Sequence, residues 1–422
     1  MTKMRMIVIL GIMCLALIMV AIPIMGGYAK SVPSKPIKIG LLFALTGRFS
    51  ALGLDSQGSA TTWIEWANKE RGGGKWPPIE FILLDSQSEG TKAALAAKRL
   101  IEVEKVHAIV GPNSSGEALV VGPVCEENNI PLVTCSASEA FERELKPHWG
   151  FRTASSSWEV VDAGLAALRL LAPRMRKLAI LHASTAYAKQ NTKDAIYFAP
   201  LRGFEIGAVE AYEPNATEFG AQISKIKASN PDAVLVYCAE MAGALAIKQM
   251  REMGMNKVVM NNGTVVATDI REAFKNTFSI PPYVYVAATP ADCWSALPKD
   301  SIAYKKLEPI ASRYEEKHKK AYGCFHHIPV AGLVLIMNSV ERGLEESPNL
   351  FDRDLQTIRR AIRDKIETTK DLHTGGNILT ASPTNHSTNV PGSMAVTIHF
   401  ESGKIVYDPQ LTTPIKLNTP PQ

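Results

Sequence analysis

The chain has 422 residues, a formal net charge of +5 and 46% hydrophobic residues. So slight a positive balance gives nucleic acid no basic face to bind. The length exceeds one ordinary core and predicts two domains of roughly 100–200 residues each.

At the N-terminus Lys3 and Arg5 precede an apolar run from Ile7 to Ile22, then Pro23 and the small-residue site Gly27-Tyr28-Ala29. This pattern predicts a secretory signal over residues 1–29, cut after Ala29. The alternative is a retained anchor, because Ile7 to Met25 approaches the ~20 residues that span a bilayer. Lipidation of Cys14 is not expected, since bulky Met13 precedes it and apolar sequence continues past it. Cleavage leaves 393 residues at a charge of +3, placed in the periplasm or outside the cell. No second apolar stretch is long and uninterrupted enough to span a membrane. Five cysteines follow the leader, at positions 125, 135, 238, 293 and 324. An odd number leaves at least one free thiol, and their spacings match no zinc pattern. Neighbouring His side chains diverge on any regular element, so Cys324-Phe325-His326-His327 is expected in a surface loop.

Ile37 to Phe43 reads as a first strand that ends in a ligand-facing loop at Thr46-Gly47. A strand follows at Ile79–Asp85, a helix at Thr91–Glu104, a strand at His107–Gly111, a helix at Glu117–Asn128 and a strand at Pro131–Thr134. The rhythm pauses from Gly150 to Trp158. It restarts as helix Glu159–Leu171, strand Lys177–His182, helix Lys189–Ala199, strand Phe204–Val209, helix Glu218–Ser229, strand Asp232–Tyr237, helix Gly243–Glu252 and strand Lys257–Met260. A strand at Pro282–Ala287 comes next, then helices at Ile302–Ala321, Val330–Leu344 and Asp352–Thr368. Strands at Met394–Phe400 and Lys404–Tyr407 close the chain as a hairpin. Such alternation needs parallel strands covered on both faces, so the expected fold is α/β with two doubly wound, Rossmann-like lobes. No low-complexity tether separates them, which predicts several chain crossings forming a hinge and a ligand cleft between facing strand ends.

Enzyme signatures are absent: no Gly-x-Ser-x-Gly elbow, no Walker loop and no Gly-x-Gly-x-x-Gly follows a strand. Neither catalysis nor a cofactor or metal is expected. Polar groups gather instead after two strands, as Asn113-Ser114-Ser115 and as Ser136-Ala137-Ser138, each before a helical segment. Hydroxyls beside helix N-terminal N–H groups make a site for a carboxylate; the plainer reading is that these serines cap helices.

Ile39-Gly40 to Thr46-Gly47, Leu52-Gly53, Asp85, Ile109-Val110-Gly111-Pro112 with Ser115, Ile130 to Val133 with Ser136-Ala137-Ser138, and Phe151-Arg152-Thr153 stand in a telling order. With these marks the chain resembles the periplasmic substrate-binding proteins of branched-chain amino acid ABC transporters, the leucine/isoleucine/valine-binding type. The resemblance runs from Ile37 to about Asp408. It implies the type I periplasmic-binding fold, with an N-terminal lobe at 36–156 and 286–381 and a C-terminal lobe at 157–285 and 382–422. It also implies a monomer that gives a small carboxylate ligand to a membrane permease. By position, Ser115 resembles the hydroxyl that binds the ligand carboxylate and Ser138 the group that holds carboxylate and ammonium. Ser136 and Ala137 would present backbone groups. Tyr187 and Tyr237 resemble aromatics that close from the second lobe, although either would also serve as packing. Where the family places an acid against the ammonium, this chain has Asn261-Asn262-Gly263, and Asn262 is neutral. Either Glu240 supplies the charge or the ligand lacks an amine. A sensory receptor of the same fold and an exported α/β enzyme are the two rival readings.

Overall fold

The computed structural model describes residues 35–71, 76–263, 266–392, 396–411 and 417–418. The leader expected at 1–29 lies outside them.

The first lobe is built from β1 (Ile37–Phe43), α1 (Ser50–Arg71), β2 (Ile79–Asp85), α2 (Gly90–Glu102), β3 (Ala108–Val110), α3 (Ser115–Glu127), β4 (Leu132–Thr134), α4 (Ala140–Leu145) and β5 (Gly150–Arg152). Its strands are parallel, in the order β2-β1-β3-β4-β5. All of β1 except Lys38 is buried, as are β3 and β4, because helices cover both faces and only an unbroken apolar run suits such a strand. Two glycines permit close approach. A Cβ on Gly53 would lie 1.9 Å from the Ala44 carbonyl, where α1 crosses the end of β1. Gly111 turns out of β3 at φ +105, with the Leu42 carbonyl 2.0 Å from where its Cβ would stand.

The second lobe comprises α5 (Ser157–Leu171), β6 (Lys177–Ala183), α6 (Ala186–Leu201), β7 (Glu205–Tyr212), α7 (Gly220–Ala228), β8 (Ala233–Cys238), α8 (Met241–Glu252), β9 (Val258–Gly263), α9 (Thr268–Phe278) and β10 (Val284–Ala288). These strands are also parallel, in the order β7-β6-β8-β9-β10. The chain then returns through a 3-10 segment (Pro290–Ala296), α10 (Ile302–His318), α11 (Cys324–Glu346) and α12 (Leu355–Glu367) to a small ribbon, β11 (Leu372–His373) and β12 (Ile378–Leu379). Strands β13 (Val396–Glu401) and β14 (Lys404–Tyr407) finish the second sheet in antiparallel fashion on β10.

Two expected boundaries move. The division at 285/286 falls inside β10, whose apolar run pairs with β9 and β13 and so belongs entirely to the second sheet. The return at 382 is also too early. Ser387 bridges Arg152 at the end of β5, and the Thr388 N–H donates to the Arg152 carbonyl at 3.0 Å. The chain therefore crosses after β5, after β10 and after this first-lobe contact.

The Cys324 cluster does not form a surface loop. It opens α11, which starts six residues before the expected helix and buries both histidines. The two rings do diverge. His326 Nδ1 accepts from the Gly323 N–H at 3.1 Å, and its Nε2 faces Asp55 at 3.4 Å; His327 Nε2 accepts from the Gly376 N–H at 3.1 Å on the other side. Among the described residues no His, Cys, Asp and Glu cluster has the grouping of a metal site. By length and composition this 23-residue helix matches a membrane span. It packs instead against α1, α12, β3 and β4 as the core helix of the first lobe.

Candidate ligand-binding cleft

In each sheet the strand order reverses beside its first strand, between β1 and β3 in one lobe and between β6 and β8 in the other. Loops diverge at such a point and leave a crevice beyond the strand ends. The two crevices face each other and enclose a cavity of about 580 Å³, within the size range of small-molecule sites.

The first lobe supplies the loop after β1, with Arg48, Phe49 and Leu52. Asp85 shapes that loop by accepting from the Leu45 N–H at 2.8 Å and the Thr46 hydroxyl at 2.7 Å. The Arg48 guanidinium, exposed at the rim, stands 5.0 Å from the Phe49 ring centre. After β3 come Asn113 to Glu117. Here Ser114, not Ser115, caps α3: its Oγ accepts from the Glu117 N–H and donates to Glu117 Oε2 at 2.7 Å. Ser115 is thereby left on the cavity wall, and its hydroxyl makes no hydrogen bond to the described residues. After β4, Cys135 and Ala137 border the space.

From the second lobe come Ser184 to Tyr187 after β6, Glu213 and Pro214 after β7, Ala239 after β8 and the end of β10. Thr185 caps α6 by accepting from the Ala188 N–H, which sets Tyr187 in the first turn over the cavity. Burial raises the Tyr187 phenol well above its ordinary value, so it stays neutral and can donate. The wall is completed near the hinge by Asp292, Cys324, Phe325 and Ile328.

Of the expected residues, Ser115, Ala137 and Tyr187 meet at this cavity, whereas Ser136, Ser138, Tyr237 and Asn262 are not among its lining residues. Ser138 Oγ accepts from the Ala140 N–H at 3.3 Å, a local turn contact just before the Glu139 N-cap of α4 that holds the side chain. Ser136 is buried behind Ala137, and its N–H donates to Thr134 Oγ1. Tyr237 lies one residue short of the end of β8 and is 1% exposed, within the lobe core. The Asn262 amide donates to Asn191 Oδ1 at 3.1 Å. Glu240 also stands outside the lining; its carboxylate accepts from the Ala239 N–H, and burial raises it toward the neutral form.

Three carboxylates do line the cavity: Glu117, Glu213 and Asp292. Asp292 is committed to the Thr289 N–H and hydroxyl and to the Cys324 N–H. Glu117 serves the Ser114 cap, and Glu213 accepts from Ser184 Oγ at 3.1 Å. Burial pushes the Cys135 thiol up to about 12 and Cys324 well above its ordinary value, so neither is a nucleophile.

The sequence reading missed Arg48, Phe49 and the hinge-side wall. The strand-end rule that found Ser115 also covers the loop after β1. Phe325 and Ile328 carried no comparable signal, because they reach the cavity from more than 150 residues further along the chain.

The family model described as "Periplasmic binding protein" matches residues 36–323. The Leu/Ile/Val-binding protein homolog 3 of Brucella melitensis is 27% identical over 230 residues, 53% of this chain. The match spans 60% of that relative's length. An extracellular ligand-binding receptor from Rhodopseudomonas palustris HaA2 superposes with a TM-score of 0.77 at 23% identity, covering 89% of this chain and 100% of that one. An ABC transporter solute-binding protein from R. palustris, solved with benzoate, gives a TM-score of 0.71 at 17% identity, covering 88% and 95%. These are binding proteins rather than enzymes, and both structures have this two-lobed fold. The chain belongs to the periplasmic binding protein family.

Proposed function

We propose that this chain is the substrate-binding component of an ABC transporter, exported by its leader to the periplasm or cell exterior. It works as a monomer, closes on one small hydrophobic carboxylate and gives it to a membrane permease. The observation that carries this reading is the Ser115 hydroxyl at the α3 N-terminus, unbonded among the described residues and on the wall of a largely apolar cavity bounded by both lobes. A carboxylate leaves water only if hydrogen bonds replace its hydration. Ser115, the first-turn N–H groups of α3 and its dipole supply them without a formal charge. Phe49, Leu52, Val286, Phe325 and Ile328 surround the apolar body. Closure follows because a ligand touching both lobes favours the state in which both reach it.

Relatives named for leucine, isoleucine and valine binding and a neighbour solved with benzoate mark two ligand classes, aliphatic amino acids and aromatic acids. Neither Asn262 nor Glu240 borders the cavity, and of the carboxylates that do, Glu117 and Asp292 are held by other hydrogen bonds and Glu213 is exposed, which favours a ligand whose amine is dispensable. A thermal-shift screen tests this with leucine, isoleucine, valine, their deaminated analogues and benzoate. A bound acid at 100 times its Kd adds about 2.7 kcal/mol and raises Tm. We expect an acid to do so, with the deaminated analogue matching its parent. A shift from neutral sugars and from none of the acids contradicts the reading.

A further inference from the structure

We propose that the interface between the lobes, beside the cavity, holds a proton at Glu139, Ser157 and Asp194, so that lobe closure takes up a proton. Glu139 precedes α4 in the first lobe, and Asp194 lies on α6 in the second. Ser157 opens α5 at the first crossing, where its N–H donates to the Ala137 carbonyl at 3.0 Å. Its Oγ lies 2.7 Å from Glu139 Oε2 and 2.7 Å from Asp194 Oδ2.

A hydroxyl has one proton to donate. It satisfies one of these oxygens. The other contact, equally short, needs a proton carried by the carboxyl itself. Both acids are buried, at 7% and 1% exposure, so two unshared negative charges here would be costly. The second oxygen of Asp194 accepts from Gln190 Nε2 at 2.8 Å, while that of Glu139 is buried without a partner among the described residues. The pair thus shares one proton, and burial with the Glu139 charge puts it on Asp194, which donates to Ser157 while Ser157 donates to the Glu139 carboxylate. The proton comes from solvent and returns to it when the lobes part.

Burial, then the Glu139 charge, pushes the Asp194 carboxyl up to about 6. The groups facing the pair are Arg143 of α4, which works in the opposite direction, Arg152 at the end of β5, and buried Tyr237 of β8. Opening separates the two acids and returns Asp194 toward its ordinary value of 3.8. Between those values the closed form binds more protons than the open one. Closure is thus favoured in acid and loses that advantage as pH rises through about 6. A shift of about two pKa units limits the coupling to ~100-fold, and partial burial in the open form reduces it to about tenfold.

The test uses the ligand-free full chain and holds whatever the cleft binds. Small-angle X-ray scattering between about pH 5 and about pH 7.5, at fixed salt, should show the radius of gyration rising with a midpoint near 6. The infrared C=O band of a carboxylic acid should fade with the same midpoint. Asp194→Asn donates permanently to Ser157, so its scattering profile should be flat and the component of the band that fades near 6 lost. Glu139→Gln removes the repulsion and should move the midpoint down by about one unit. It decides the matter if circular dichroism shows that the first variant does not fold. An unchanged pH course in either folded variant, or a wild-type chain without the band, overturns the proposal.

Discussion

Replacing Arg152 by alanine is expected to lower the free energy of unfolding by about 3–5 kcal/mol, because it leaves buried charge without a partner. The side chain is fully buried and ties together three parts of the molecule. Its Nε donates to Glu142 of α4 at 2.7 Å, one terminal nitrogen to the Ala154 carbonyl at 3.0 Å, and the other to Ser156 Oγ at 2.9 Å and Ser387 Oγ at 2.7 Å. Ala154 and Ser156 belong to the first crossing, and Ser387 to the strand segment that precedes the last. Burial alone would lower the guanidinium pKa, but Glu142, Glu139 and Glu159 outweigh it and raise it, so the charge persists. Lysine keeps the charge without the planar fork and should recover part of the loss. Urea unfolding of the three forms measures this. A loss below about 1 kcal/mol in the alanine variant would show that Arg152 does not organise the hinge.

Ser115→Ala should weaken ligand binding about 10- to 100-fold. A hydrogen bond to a charged group is worth ~1.5–3 kcal/mol, and each ~1.4 kcal/mol is tenfold in Kd. Folding should hardly change, because the hydroxyl makes no hydrogen bond to the described residues and Ser114 carries the cap. Ser114→Ala should behave in the opposite way. It removes the capping hydroxyl and costs about 1 kcal/mol of stability while the Ser115 hydroxyl remains. Calorimetry with the acid found in the screen, paired with unfolding of each variant, separates the two roles. Equal losses of affinity from both substitutions would mean that helix capping, not direct contact, explains Ser115.

The two lobes were legible because each rests on β-rich runs buried on both faces, of which Ile37 to Phe43 is the clearest. Helix starts were harder. The paired histidines suggested a loop, yet α11 runs through them and on through Pro329. Pro329 has no N–H for the Phe325 carbonyl, and Ser56 Oγ donates to that carbonyl instead at 2.9 Å, from another helix. Only tertiary structure supplies that compensation.

The site divided in the same way. Ser115 was legible because a strand end, a tight turn and a helix start fix its place locally. Ser138 follows the same pattern, but the short α4 engages its hydroxyl. For Tyr237 one residue of depth in β8 decides between core and cleft, and sequence spacing does not resolve that. The link from Glu139 through Ser157 to Asp194 joins residues far apart in the chain and has no sequence signature.

The most direct test of the central claim, that one acid sits between the lobes on Ser115, is a crystal structure of the full chain with the acid identified by thermal shift. The account predicts its carboxylate within hydrogen-bond reach of Ser115 Oγ and the α3 N-terminus, with Tyr187 against it from the other lobe. A ligand seated outside the cavity, or inside it with the carboxylate turned away from Ser115, would contradict the account.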